Sequence, residues 1–505
     1  MEIRRGDTLK RQDGKAFAET VAVDRHARTI DMLVGPSKTA IRPSALFAHD
    51  HVNAKVIEDA LMSLGNRVAD AGSIEALPPG PARSLLLRLP PALTGEPFSG
   101  SLNHVVDYAK SIVTRLDRTC LPIQGPPGAG KTFTGARMIE ALVAAGFRVG
   151  VTATSHKVIR NLLDELGGPD ARIGQKGGDE EREGAGGSGV VAFSGNEDAL
   201  AAITSGAVNI LGGTAWLWSR QEFANTIDVL FIDEAGQMSL ANALAVSHAA
   251  KNLVLLGDPQ QLEQPKKGSH PDGVDVSALD HILGGTQTMP PELGLFLPET
   301  WRLAPSICAF TSELFYEGKL VSKPGLEQQR LLREGHGLRL VVVDHSGNRN
   351  ASDEEAKVVA QLVADLLASP AKWIDEQDAE QNLTARDIRI MAPFNAQVMR
   401  IREALEQHPS SLELVEVGTV DRFQGQTAAV AIYSMATSHP DDAPKGMEFL
   451  YSLNRLNVAT SRARCVSILV ASPRLFEADC QTPRRMRLAT AMARFREMAT
   501  SKAQG

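Results

Sequence analysis

The 505-residue sequence has few cysteines, no excess of positive charge and no long apolar run, and each absence narrows what the chain does. Its four cysteines, Cys120, Cys308, Cys465 and Cys480, form no C-x-x-C pair and are too scattered for a structural zinc site or a disulfide framework. They read as core thiols of a reducing cytoplasm. With 53 Lys and Arg against 60 Asp and Glu, the net charge of −7 argues against a surface coated in positive charge, the footprint of a bulk nucleic-acid binder. A local basic channel fits within that balance. No window of about 18 uninterrupted apolar residues occurs, and Met1 to Gly14 mixes Arg, Lys, Asp and Glu without an apolar stretch. A soluble, cytoplasmic protein with no membrane partner is therefore expected. The remainder is ordinary globular composition, 43% hydrophobic and 22% charged, long enough for about three average domains.

Ala18 to Val23 and Thr29 to Val34 are strand-like runs separated by a polar turn, Asp24 to Arg28, so residues 1–100 are expected to begin with a small β-rich, barrel-like module. Pro78, Pro79, Pro81, Pro90, Pro91 and Pro97 make residues 75–100 a connector, since proline continues neither a helix nor a central strand. From Leu102 onward, apolar strands alternate with helices of ten to fifteen residues, the signature of α/β units with a mostly parallel sheet. The expected strands are Cys120–Gln124, Arg148–Thr152, Val229–Asp233, Leu253–Gly257, Leu338–Val343, Ile388–Ala392, Ala429–Ser434 and Cys465–Val470. They fall into two lobes, 101–296 and 297–505, around the proline-bearing stretch Pro265 to Pro298. Gly174 to Ser188 is glycine-rich, charged and poor in apolar residues, so it is expected to be mobile within an insertion over about 165–208. No internal repeat stands out.

The strongest chemical signal is Gly125-Pro126-Pro127-Gly128-Ala129-Gly130-Lys131-Thr132, a full G-x-x-x-x-G-K-T between an apolar strand and the helix-forming run Thr134 to Val143. Its backbone amides suit phosphate oxygens, Lys131 neutralises them, and the Thr132 hydroxyl suits Mg²⁺. An ordinary glycine-rich turn is a poor alternative. Val229 to Ile232 then delivers Asp233, a carboxylate for the same metal, and Glu234, the natural general base for attacking water. A third strand ends in Gly257-Asp258-Pro259-Gln260-Gln261-Leu262, where Gln261 is placed to sense the terminal phosphate.

Read with downstream stretches, these motifs resemble superfamily 1 helicases, in the 5′-to-3′ branch of the nonsense-mediated-decay helicase and the Okazaki-fragment nuclease-helicase. The resemblance runs from Leu102 to about Pro473. It rests on Gln124–Thr134, Thr152–His156, Asp233–Gln237, Gly257–Leu262, Thr300–Pro305, Ala392–Gln397, Gly418–Gln426 and Arg455–Arg464. Gly213–Trp218 and Gly446–Ser452 also look like the helicase half of bacterial RecB-like nuclease–helicase fusion proteins, with no counterpart of the nuclease half expected.

The resemblance implies two tandem RecA-like P-loop NTPase lobes with ATP and Mg²⁺ between them. Gln124 and Phe133 would flank the phosphate loop, Gln261 would act with Lys131 and Glu234, and Arg302 and Arg462 would reach across as arginine fingers, with Arg455 assisting. Single-stranded DNA, or RNA, would be contacted by Thr152, Thr154, Ser155 and His156, by Thr214 and Trp216, by Pro393, Asn395 and Gln397, and by Thr419, Asp421 and Gln424. Trp216 and Trp218 read either as stacking platforms or as core. Because Leu217 lies between them, alternation places both rings on one face, and core is favoured for at least one.

Three positions depart from the family pattern. Thr427 stands where relatives have glutamic acid, no adenine-reading glutamine occurs near Val105 and Val106, and Ala304 replaces a histidine. Asp344, Glu355 and Lys357 loosely mimic a metal-dependent nuclease, but Glu355-Ala356 fits a helix opening better. His49-Asp50-His51 is expected to be a solvated turn and not a metal site. Pro483 to Lys502 is expected to be a closing helix, its apolar face read as Met486, Ala489, Met492, Ala493 and Phe495. The reading expected from the whole is an ATP-dependent 5′-to-3′ translocase on single-stranded nucleic acid, monomeric, with a nuclease acting in trans as a further partner. An RNA helicase, and an ATP-driven switch that binds a partner protein without nucleic acid, are the alternatives.

Overall fold

The structure is a computed structural model describing the chain except for residues 1–2, 4, 25–28, 49–52, 101–103, 178–188, 264–272, 369–370, 409–411, 413 and 501–505. It divides into two compact units, Met1–Lys55 and Val56–Gly505. In the first, β1 (Thr8–Arg11), β2 (Ala16–Asp24), β3 (Thr29–Val34) and β4 (Leu46–Ala48) form an antiparallel sheet in the order β3-β2-β1-β4. Leu9, Phe17 and Ala18 are its buried apolar residues. His49, Asp50 and His51, and most of the expected turn after Asp24, lie outside the described residues.

In the second unit the first sheet comprises β5 (Cys120–Gln124), β6 (Val149–Thr152), β7 (Ile173–Lys176), β8 (Val190–Phe193), β9 (Ile210–Gly212), β10 (Ile227–Ile232), β11 (Ala250–Gly257) and β12 (Leu295–Phe296). Among the described residues its order is β12-β5-β11-β10-β6-β9-β7-β8, every pair parallel. Parallel strands are covered on both faces, which is why β5 and β10 read as near-continuous apolar runs. Alternation along β10 sends Val229 and Phe231 into one core and Leu230 and Ile232 into the other.

Next come β13 (Glu299–Thr300), β14 (Val321–Ser322), β15 (Arg330–Leu331), β16 (Gly337–Val342), β17 (Lys372–Ile374), β18 (Glu380–Asn382), β19 (Ile388–Ala392), β20 (Glu416–Thr419), β21 (Ala428–Ser434) and β22 (Ala463–Ala471). The main sheet of this lobe is β16-β22-β21-β19-β20, also all parallel. All eight expected strands are present, the largest displacement being the start of β11 at Ala250 against the expected Leu253.

Three expectations need correction. The stretch read as an insertion supplies β7 and β8 to the sheet edge, where a Cβ on Gly174 would lie 2.5 Å from the Phe193 ring, while residues 178–188 of the part expected to be mobile lie outside the described residues. Within the proline-rich connector, Pro81 opens a short helix, Pro81–Leu86, at the position where a missing N–H costs nothing, and Leu85 is fully buried. The terminal helix, Pro483–Thr500, packs through Leu488, Ala491, Met492, Phe495 and Ala499, a face rotated from the one expected, leaving Met486 exposed. Phe495 meets Phe310 edge-on with centroids 5.4 Å apart. No helix among the described residues is long and apolar enough to cross a membrane.

Candidate active site

The buried strand β5 delivers the phosphate loop to the C-terminal edge of the first sheet, and the helix Lys131–Ala144 carries the chain away. Gly128 has φ +74°, and a Cβ there would stand 2.5 Å from Arg302 Cβ and 2.7 Å from Thr300 Oγ1. Only glycine accommodates both the dihedral and the approach of the second lobe. That approach is fastened by hydrogen bonds: Trp301 N donates to Gly128 O at 2.9 Å and Thr300 Oγ1 to Pro127 O at 2.8 Å. Lys131 Nζ curls over the loop to donate to Gly125 O at 2.6 Å.

Beside it, β10 is followed directly by Asp233, whose amide donates to Thr152 O at 2.8 Å and whose Oδ1 accepts from Glu234 N at 2.9 Å. Burial, and then the adjacent Glu234 carboxylate, push Asp233 up to about 7. A buried acid so disfavoured as an anion suits a cation ligand, which would restore its charge. Glu234 has φ +51°, a left-handed backbone uncommon for this residue type.

From the second lobe come the arginines. Arg462 is 1% exposed and, among the described residues, bonds to neutral oxygens: Val458 O at 3.2 Å, Gln426 O at 3.3 Å, Ser461 Oγ at 3.4 Å and, across the lobes, Gln261 Oε1 at 3.3 Å. Desolvation lowers it to about 10 despite Glu234 nearby. Arg302 is lowered to about 9, by desolvation and then by Arg462 and Arg464 beside it. These groups line a cleft of about 770 Å³ with Lys131, Thr132, Asp233 and Glu234. A polyanion fits a chamber in which guanidinium groups crowd one another.

Of the other expected nucleotide residues, Pro126, Pro127, Ala129, Gly130, Phe133 and Gln261 also line the cleft. Gln124 does not: it is buried, with Oε1 accepting from Met289 N at 2.7 Å and Nε2 donating to Gln287 O at 3.0 Å, so it anchors a loop. Arg455 is also outside the cleft lining, tied to Asp421 by two contacts of 3.3 Å and stacked 4.3 Å over Phe449. Two residues given separate roles by the sequence thus hold each other.

The expected nucleic-acid contacts divide similarly. Thr152, Pro393 and Gln397 are buried; Gln397 binds Ser352 N at 2.7 Å and Ser434 Oγ at 2.9 Å. Thr154, Ser155 and Gln424 line the nucleotide cleft, while Asn395 and Asp421 are exposed and His156, Thr214 and Thr419 half-buried. Trp216 is 39% exposed but Trp218 is 0% exposed, its Nε1 donating to Val151 O at 3.2 Å. The pair sits on a helical turn, Ala215–Trp218, so two residues of separation put the rings on opposite sides.

Lys157, Gln237, Glu376 and Arg464 line the cleft without a role assigned from sequence, as does Thr427, the departure from the family's glutamic acid. Arg464, two residues after Arg462, was the most findable of these. Glu376, held to it at 2.6 Å from the β17–β18 hairpin, had no local signal. Glu355, of the nuclease-like trio, is buried against His345 Nε2 at 3.0 Å and Ser434 Oγ at 2.6 Å.

Residues 107–278 and 277–474 each match a domain family described as "AAA domain". The chain is 27% identical over 379 residues to the DNA replication ATP-dependent helicase/nuclease dna2 of Schizosaccharomyces pombe, spanning 69% of this chain and 26% of that protein. It is 25% identical over 415 residues to the DNA polymerase alpha-associated DNA helicase A of the same organism, spanning 68% and 59%. Over these spans the chain is similar to helicases of superfamily 1B. It covers less than two thirds of the length of either relative. Among solved structures, the chain is similar to an arterivirus nonstructural protein 10 (helicase) in complex with DNA, at 14% identity and TM-score 0.38, covering 74% of this chain and 63% of that one.

Proposed function

We propose that the chain hydrolyses ATP with Mg²⁺ between lobes 101–296 and 297–505 and uses the cycle to move 5′ to 3′ along single-stranded DNA and separate duplexes. The observation that carries this reading is the cleft, where Lys131, Asp233 and Glu234 of one lobe face Arg302 and Arg462 of the other. Hydrolysis that needs both lobes at once can be converted into their relative movement. The relatives named for DNA replication and as a DNA helicase support DNA over RNA. The 5′-to-3′ direction follows the branch that the motifs resemble.

Thr132 and Asp233 are the residues that would hold Mg²⁺, which when bound supplies charge neutralisation at the phosphates. Backbone amides of Gly128 to Thr132 and the Lys131 ammonium bind and orient the phosphate chain. Glu234 takes the proton of the attacking water. Gln261 is held between Asp258 and Arg462, so its amide faces the cleft in one orientation. Arg302 and Arg462 stabilise charge that grows on the transferring phosphoryl group.

Unwinding of 5′- and 3′-tailed DNA and RNA duplexes tests the proposal. Displacement confined to the 5′-tailed DNA is expected, whereas ATP hydrolysis indifferent to any single strand would refute it. Trp216 supplies a base-stacking surface. Trp216→Ala should weaken oligo-dT binding by about 1–3 kcal/mol in fluorescence anisotropy and leave thermal stability nearly unchanged. Trp218→Ala should instead destabilise the fold by about 3–5 kcal/mol.

A further inference from the structure

Behind the cleft, Asp258, just after β11, is 2% exposed, and its carboxylate is held from both lobes. Oδ2 accepts from Gln261 Nε2 at 2.8 Å and from Tyr316 Oη at 2.6 Å. Oδ1 accepts from Gln260 N at 3.2 Å and, more weakly, from Gln124 Nε2 at 3.4 Å. Tyr316, fully buried just after the helix Pro305–Phe315, accepts in turn from Asn457 Nδ2 at 3.0 Å. Asn457 Nδ2 also donates to Gln260 O at 2.8 Å, and Asn454 Nδ2 donates to Pro259 O at 2.8 Å and to Gln261 O. The carbonyls of three consecutive loop residues of the first lobe therefore accept from one helix, Leu453–Ser461, of the second.

An unbroken series of bonds runs Arg462, Gln261, Asp258, Tyr316, Asn457. Its polarity is dictated chemically. An ionised carboxylate only accepts, so Gln261 must turn Nε2 to Asp258 and present Oε1 to Arg462. Tyr316 stays a donor because burial, and then the Asp258 charge, keep its hydroxyl far above its ordinary value. Asn457 Oδ1 is buried with no partner among the described residues, so the series is not fully satisfied in this arrangement of the lobes.

We infer that Tyr316 is a positioning residue whose hydroxyl transmits the orientation of Gln261 at the cleft to the second lobe, so that hydrolysis responds to a bound single strand. This rests on the function proposed above. Tyr316 does not line the cleft and touches no reacting atom. Without its hydroxyl, Asp258 is an under-compensated buried charge, Gln261 loses its fixed orientation, and Asn457 loses an acceptor.

Tyr316→Phe removes the hydroxyl and keeps the ring, which packs 6.2 Å from Phe296. Tyr433→Phe is the control, since the Tyr433 hydroxyl is buried with no partner among the described residues. In the full chain, ATP turnover is measured with and without saturating oligo-dT, alongside KM for ATP and thermal denaturation. Tyr316→Phe should lower strand-stimulated kcat by about tenfold with KM within about twofold, while Tyr433→Phe stays stimulated like the parent. A folded Tyr316→Phe variant stimulated like the parent overturns the inference. If Tyr316→Phe does not fold, Asn457→Ala carries the test, and full stimulation in that variant overturns it equally. Absence of stimulation in the parent chain would instead overturn the proposed function.

Discussion

Arg462→Ala is expected to reduce ATP turnover by about 10³-fold or more, the scale associated with arginine fingers. The side chain is almost wholly enclosed and, among the described residues, its hydrogen bonds go to four neutral oxygens, so its charge is balanced only at a distance, by Glu234 and Asp258, and stays available at the lobe boundary. Arg462→Lys should rescue little, because a point charge cannot reproduce a planar fork that contacts Gln261, Gln426 and Val458 together. Steady-state ATPase measurements check this, with thermal denaturation confirming that each variant folds. Retention of a tenth of the parent rate would remove Arg462 from the reaction.

Glu234→Gln should lower turnover by about 10²- to 10⁴-fold while ATP still binds, since the amide keeps the shape and loses the base. Normal turnover would refute the assignment. The same change has a second readout through Asp233, whose raised value is caused first by burial and next by Glu234. A group with a folded value above its unfolded one stabilises the fold fully at low pH and loses that contribution as pH rises, here between about 4 and about 7. Removing the Glu234 charge shrinks that loss. The melting temperature of Glu234→Gln without nucleotide should therefore fall less than the parent's between pH 4 and 7, a gain in stability accompanying the loss of chemistry.

The parts of the cleft legible in the sequence were those where a buried strand runs straight into a polar turn. The apolar residues of β5, β10 and β11 announce the strand, and Gly125–Thr132, Asp233-Glu234 and Gly257–Gln261 follow in register at one sheet edge. Direction was harder to read than position. Thr152, Gln124 and Gln397 occupy the expected motifs but turn inward, because a residue at a strand end either closes the core or leaves it depending on neighbours far away in sequence. Arg455 and Asp421 pair across 34 positions, and Tyr316 meets Asp258 across 58, separations that carry no local pattern. The tryptophans were misplaced by period: two residues along a strand share a face, while two along a helix are about 200° apart.

The strand β12 belongs to the first sheet although it lies just before the second lobe. Leu295 and Phe296 pair with Ile123 and Gln124, and Leu297 N donates to Gln124 O at 2.9 Å. A first-lobe fragment cut before Leu295 would turn β5, the strand that carries the phosphate loop, into an open sheet edge with unpaired amides and carbonyls. Such a fragment would offer a template for self-association, so division of the chain into soluble halves has to fall after Leu297 and not at the start of the connecting stretch.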